Sequence, residues 1–261
     1  MTLPLAEADA RAGTGALLEV SDLTRRFGGL VAVKGVSFSV AAGEITGILG
    51  PNGAGKTTLF NLLTGFLAPD QGRVHFEGRD ITGLARHRVV DRGLARTFQL
   101  ARPFRGMTVA ENVAVACLSP RGRRHGGARW PARVRQVLLQ VGLEGKERVA
   151  VEALPYGDLR RLEVARALAT APRLLLLDEP FAGLGASEIA PLAAVISRLC
   201  GEGLTILIIE HKLREFMRLV RRVIAMDFGE IVADGTPGEI VQHPRVVAAY
   251  LGGGLAPHAA P

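Results

Sequence analysis

Cysteine is nearly missing from this chain. Cys117 and Cys200 are the only two, far apart and without a CxxC spacing, so neither a disulfide framework nor a cysteine-based zinc site is expected. The histidines His75, His87, His125, His211, His243 and His258 are scattered and give zinc no cluster to bind. Hydrophobic residues make up 48% of the 261 positions. Even so, no apolar run reaches the ~18–20 residues needed to span a bilayer. The opening Met1-Thr2-Leu3-Pro4 soon meets Glu7 and Asp9 and lacks a basic patch followed by an apolar core, so no secretory signal is expected. No internal repeat of fixed period is present. Asp227-Phe228-Gly229 spells a kinase metal motif, but no H-R-D loop precedes it and a turn explains it. Together these absences point to a soluble, cytoplasmic chain, long enough for one elaborated α/β domain or two intimate subdomains.

Positive charge is in excess. The formal net charge is +7, with basic residues concentrated in Arg121 to Arg135 and Lys212 to Arg222. Nucleic acid, anionic lipid headgroups or an acidic protein could each exploit such segments, and a solvated basic face explains them equally well.

The most specific pattern is Gly50-Pro51-Asn52-Gly53-Ala54-Gly55-Lys56-Thr57, which fills every fixed position of a phosphate-binding loop. Apolar Ile45, Ile48 and Leu49 precede it as a strand, and Thr57, Thr58, Leu59, Leu62 and Leu63 open a helix that Gly65 can stop. Glycines let the backbone wrap a phosphate with successive N–H groups, and the helix N-terminus adds positive potential. Lys56 supplies a cation for the β- and γ-phosphates, and the Thr57 hydroxyl is a magnesium ligand. The pattern implies binding of a nucleoside triphosphate.

Leu17 to Val20, Ala32 to Val40, Gly43 to Leu49 and Arg73 to Glu77 read as strands. Roughly Met107 to Thr170 reads as helical, with Pro120 to Arg129 interrupting it. Leu174 to Leu177 and Leu204 to Ile209 read as buried strands, Ser187 to Leu199 as a helix, and Leu213, Phe216, Met217 and Val220 as one apolar helix face. Val223 to Asp227 and Ile231 to Asp234 read as a hairpin. The Ala- and Gly-rich residues 1–16 and 252–261 read as loose tails.

The strand Leu174-Leu175-Leu176-Leu177 runs into Asp178-Glu179-Pro180. Adjacent carboxylates after a hydrophobic strand suit magnesium at Asp178 and a base at Glu179 that orients an attacking water. Ile206-Leu207-Ile208-Ile209 ends similarly in Glu210-His211. A lone histidine is usually structural. If the two strands lie parallel in one sheet, however, His211 shares the edge with Asp178 and a γ-phosphate contact becomes the better reading.

With these motifs in this order, the sequence resembles the ATP-binding subunits of ABC transporters from Leu17 to Leu251. The resemblance includes Arg96-Thr97-Phe98-Gln99 and Leu154-Pro155-Tyr156-Gly157-Asp158. It implies an α/β fold: a P-loop NTPase core of ABC type at 17–251, with an antiparallel β subdomain and a helical subdomain at about 107–170. It implies ATP and Mg²⁺ as ligands, with Gln99 joining Thr57 and Asp178 near the metal. Glu179, His211, Lys56 and Gln99 would serve hydrolysis. It also implies that Phe27 stacks on adenine, although Phe27 before Gly28-Gly29 could equally be a core aromatic. Gly93 to Gln99, Met107 to Val113, Ile209-Glu210-His211, Ala233 to Pro237 and Ala249 to Gly252 resemble the importers of branched-chain amino acids and related amides. Asp178 to Gly183 is also similar to the ATPases of lipopolysaccharide export.

Partners implied are a second ABC ATPase of a different kind, two transmembrane permease subunits and, indirectly, a periplasmic or extracellular solute-binding protein. The implied location is the cytoplasmic face of the inner or plasma membrane. Arg102, Pro103 and Phe104 would line the groove for a permease helix, or form an ordinary surface loop. A soluble ABC-type ATPase acting on nucleic acid or ribosomes is the different-class alternative. Those proteins usually carry two nucleotide domains or a long coiled-coil insertion, and neither is present. A regulatory subunit that binds ATP without hydrolysing it is a further alternative.

The chain departs from the family in its signature, usually Leu-Ser-Gly-Gly-Gln. Pro155 stands at the serine, Tyr156 at the first glycine and Asp158 at the glutamine. In the family this loop, here Pro155, Tyr156 and Gly157, reaches across a dimer to the partner's ATP. Proline offers neither hydroxyl nor N–H. One lost charge-assisted hydrogen bond costs ~1.5–3 kcal/mol. Gly185 also replaces the usual Asn or Asp. An asymmetric dimer is therefore expected, in which this chain's own loop, Glu179 and His211 form the competent site with the partner's signature and the site served by Pro155 is slow. The alternative is that Pro155 is tolerated, since the Gly157 amide and the helix dipole survive.

Overall fold

The computed structural model describes residues 16–99, 102–126 and 130–251. Residues 1–15 of the expected N-terminal tail and the whole expected C-terminal tail, 252–261, lie outside these residues.

Among the described residues, ten strands form two sheets. β1 (Ala16–Phe27), β2 (Leu30–Ala41), β4 (Gln71–Phe76) and β5 (Arg79–Asp80) build an antiparallel sheet in the order β2-β1-β4-β5. β3 (Ile45–Leu49), β6 (Leu94–Arg96), β7 (Leu174–Asp178), β8 (Thr205–Ile209), β9 (Arg222–Asp227) and β10 (Glu230–Gly235) build the second sheet in the order β10-β9-β3-β8-β7-β6. All its pairings are parallel except β9 with β10, the expected hairpin.

The central strands read as unbroken apolar runs because both faces of their sheet are covered. Alternate residues face opposite cores. Leu175, Leu177, Ile206 and Ile208 pack into a core with the helical region, whereas Leu174, Leu176, Leu207 and Ile209 pack with the antiparallel sheet and α1 (Lys56–Leu63). The helical region holds α3 (Val109–Cys117), α4 (Pro120–Gly126), α5 (Trp130–Val141) and α6 (Tyr156–Ala169), with α2 (Arg86–Arg92) before β6. Thr108 and Glu111 close a capping box on α3, which fixes where that region begins. α7 (Ala186–Gly201), α8 (Leu213–Leu219), α9 (Pro237–Gln242) and α10 (Pro244–Leu251) complete the chain. No helix among the described residues is long and apolar enough to cross a membrane.

Several expectations need correction. The segment from Pro120 does not simply interrupt the helices: Pro120 opens α4 as its first residue, where its missing N–H is not needed. β1 is twelve residues long rather than four; register shifts along its pairing with β2 carry it past the polar Ser21 and Asp22. Residue 16 belongs to β1 and not to a tail. The sequence pattern does not announce β6, whose three residues show no period, or α2, whose seven residues bury only Val89.

Candidate functional site

The phosphate loop joins β3 to α1. Its glycines are required by close approach as well as by the ligand. A Cβ on Gly50 would sit 2.3 Å from the Met226 carbonyl oxygen, and one on Gly55 (φ 96°) 2.3 Å from that of Ala32. Lys56 is 6% exposed, and its Nζ donates to the carbonyls of Gly50 (2.7 Å) and Pro51 (2.8 Å). Burial pushes this ammonium below the ordinary lysine range, while Glu179 and Asp178 pull it back up. Beside the loop lies a cleft of about 490 Å³, lined by Phe27, Leu30 to Ala32, Asn52 to Thr58, Glu179, His211 and Phe228. Thr57 is exposed there and Thr58 half-buried. The oxygen donors of Thr57 and Asp178, with glycine N–H groups beside them, are the chemistry that a magnesium–triphosphate needs.

β7 and β8 are parallel neighbours with Asp178 opposite Ile209, so both strands end at one sheet edge. That edge gathers the residues expected to act. Glu179 adopts a left-handed backbone (φ 49°), and its N–H donates to the Ile209 carbonyl at 2.9 Å. Its Oε1 lies 2.8 Å from His211 Nε2, and its Oε2 accepts from Gln99 Nε2 at 2.8 Å. Asp178, 4% exposed, accepts from Arg96 Nη2 at 2.6 Å.

Glu210 was not anticipated as a site residue. It is 2% exposed; its Oε1 accepts from Phe181 N–H (2.8 Å), and its Oε2 from His211 N–H (2.6 Å) and Lys212 N–H (3.2 Å). One carboxylate therefore ties the segment after Glu179 to the segment carrying His211. Burial pushes its carboxyl above the usual range and the three amides pull it back. The available signal was its place directly after four apolar strand residues. Glu210→Gln would turn an NH₂ group towards amide donors. An unfolding free energy lower by about 1–3 kcal/mol is expected in urea titration, and an unchanged value would contradict this role.

Phe27 is 44% exposed and lines the cleft, with the Arg25 guanidinium 5.1 Å from its ring centroid, so it is not a core aromatic. Phe228 also lines the cleft; it is 86% exposed with φ 44°. The reading as a turn was right but missed this exposure. The adjacent Gly229 N–H donates to the Ala54 carbonyl (3.1 Å), and the Gly229 carbonyl accepts from Lys34 N–H (2.8 Å), which pins the hairpin tip to the phosphate loop.

Pro155, Tyr156 and Gly157 are not brought into the cleft. Pro155 caps α6 through its carbonyl, which accepts from the N–H groups of Asp158 and Leu159, both at 3.0 Å. Asp158 is buried and pairs with Lys146 and Arg161. Arg160 on the same helix is 2% exposed and donates to the carbonyls of Phe98 (3.2 Å), Gln99 (2.5 Å) and Ala182 (3.1 Å). It binds α6 to the segments carrying Gln99 and following Glu179. Beyond Gln99, Phe104 is 42% exposed, with Arg166 4.6 Å from its ring. Arg166 also donates to the Arg102 carbonyl at 2.8 Å, and Asn112 Oδ1 accepts from Phe104 N–H at 2.7 Å. This loop is ordered by its own contacts.

The profile of the family described as ABC transporter matches residues 33–182, and that described as branched-chain amino acid ATP-binding cassette transporter matches residues 230–256. The high-affinity branched-chain amino acid transport ATP-binding protein BraF of Pseudomonas aeruginosa is 41% identical over 256 residues, covering 90% of this chain and 98% of BraF. The lipopolysaccharide export system ATP-binding protein LptB of Acidithiobacillus ferridurans is 38% identical over 240 residues, covering 90% and 97%. Among solved structures, the ATP-binding cassette MJ1267 in its ADP conformation superposes with a TM-score of 0.81 at 33% identity, covering 92% of this chain and all (100%) of that one.

Proposed function

Because the chain belongs to the ATP-binding family of ABC transporters, we propose that it hydrolyses ATP to drive uptake of branched-chain amino acids or related amides through separate membrane subunits. The observation that carries the hydrolytic part is the convergence of Gln99 and His211 on the Glu179 carboxylate at the cleft beside the phosphate loop. The match at residues 230–256 favours amino-acid uptake over lipopolysaccharide export.

In this reading Phe27 offers a ring to the adenine, and the exposed Phe228 a second apolar surface at the same mouth. Lys56 leaves its carbonyl partners and extends to the β- and γ-phosphates. Thr57 and Asp178 would hold magnesium, which would supply neutralising charge to the triphosphate. Glu179 takes the proton of the attacking water, and His211 holds the γ-phosphate. Gln99 senses whether Glu179 is engaged and passes that to the ordered loop Arg102 to Phe104, where a permease helix would dock at the cytoplasmic face of the membrane. The N-terminus of α6, with Pro155, Tyr156 and Gly157, serves the ATP of a second and different ATPase subunit.

Phosphate release by the purified chain, alone and with a partner ATPase and the permease subunits, tests this reading. Hydrolysis that depends on the partner, together with amino-acid-dependent stimulation when the binding protein is added to vesicles, is the expected result. ATP binding without hydrolysis in any combination would overturn it.

A further inference from the structure

The structure assigns Arg96 a role that the reading above does not use: we propose that it is the positioning residue that orients Asp178 for magnesium. The inference rests on the ATPase reading and deepens it.

Arg96 is the last residue of β6, an edge strand whose preceding residues are buried and apolar. A guanidinium there must be desolvated, yet its side chain is only 5% exposed and that of Asp178 only 6%. Arg96 pairs with Leu176 across the parallel strands, so its long side chain runs forward along the sheet to reach Asp178, two residues further on. Nη2 donates to Asp178 Oδ2 at 2.6 Å, and Nη1 to Asn61 Oδ1 at 2.7 Å and Thr64 Oγ1 at 3.4 Å. Asn61 and Thr64 belong to and cap α1, the helix that the phosphate loop opens. Phe60, Phe66 and Phe98 surround the guanidinium at 5.5, 5.8 and 5.2 Å from its carbon to their ring centroids.

The fork has rigid, planar geometry, so one guanidinium fixes the carboxylate against the helix that carries Thr57. With Oδ2 committed to Arg96, Oδ1 is the oxygen presented to the ion. Without that partner the buried carboxylate beside Glu179 would be free to rotate. A partner that orients a metal-binding carboxylate is a common requirement of such sites.

The test is binding of ATP to the full chain by calorimetry, with Mg²⁺ and separately with excess EDTA. The ratio of the two affinities isolates the contribution of the metal. In Arg96→Met this ratio is expected to fall roughly 10–100-fold, with metal-free ATP affinity unchanged. Arg96→Lys keeps the charge, but a compact ammonium cannot hold Asp178 and Asn61 together, so an intermediate ratio is expected. Mn²⁺ in place of Mg²⁺ gives a second readout: the electron paramagnetic resonance change of Mn²⁺–ATP on the protein that Asp178→Asn abolishes should be lost in Arg96→Met and reduced in Arg96→Lys. A merely structural role would weaken binding equally with and without metal, and that result overturns the proposal. So does a wild-type ratio in Arg96→Lys, which carries the test if Arg96→Met does not fold. Failure of the wild-type chain to bind ATP at all would instead bring down the ATPase reading, and this inference with it.

Discussion

Phosphate release should fall by roughly 10²–10⁴-fold when Glu179 is replaced by glutamine, because a positioned base contributes about that much to a proton transfer. The structure makes this a clean substitution. Gln99 and His211 each reach a different oxygen of Glu179. A glutamine at 179 keeps the same shape: its carbonyl oxygen still accepts from Gln99, and its NH₂ can donate to His211 Nε2 when that neutral imidazole carries its proton on Nδ1. Geometry survives and basicity does not. ATP should therefore still bind with near wild-type affinity, measured by equilibrium dialysis in parallel with phosphate release. Hydrolysis within a few-fold of wild type would remove Glu179 from the role of base and leave orientation of water to His211 and Gln99.

The second large effect concerns Lys56. Its ammonium rests on two loop carbonyls, and only 6% of the residue is exposed. Desolvation and hydrogen bonding oppose one another there, so Lys56→Met should leave the melting temperature of the ligand-free chain almost unchanged. The response to ATP should differ sharply. At ligand concentrations near 100 times Kd, binding adds about 2.7 kcal/mol of stability. For chains of 150–250 residues about 2–4 °C accompanies each kcal/mol, which gives a rise of roughly 5–10 °C for a chain of this size. Lys56→Met should show almost none of it. A full rise in the variant would mean that the loop amides alone carry the affinity.

Much of this site could be read from residues in order, because its chemistry needs fixed types at fixed spacing. The phosphate loop, the Asp178-Glu179 pair and the second strand ending at His211 were all legible. The parallel pairing of β7 and β8 then put them at one edge, as the strand reading required. Three features were not legible. Glu210 binds backbone amides 29, one and two residues away, and no side-chain pattern announces such partners. Phe228 looks like any turn residue until the hairpin tip is seen pinned to Ala54. Arg96 breaks the apolar rule of a buried strand, and only the three-dimensional neighbourhood shows the carboxylate that justifies it. The Gly- and Arg-rich segment from Pro120 reads as a break, yet Pro120 stands at the first position of a helix, where a proline fits.

Arg160 has a consequence for how this chain can change over time. Each of its three grips outside its own helix falls on a main-chain carbonyl: Phe98, Gln99 and Ala182. A carbonyl is present whatever the side chain, so substitutions at Phe98 or Ala182 leave the attachment intact. The side chains of both loops are free to vary, while the mechanical tie between the loops stays under the control of a single buried position. Either loop can thus change the surface it presents without loosening its hold on the other.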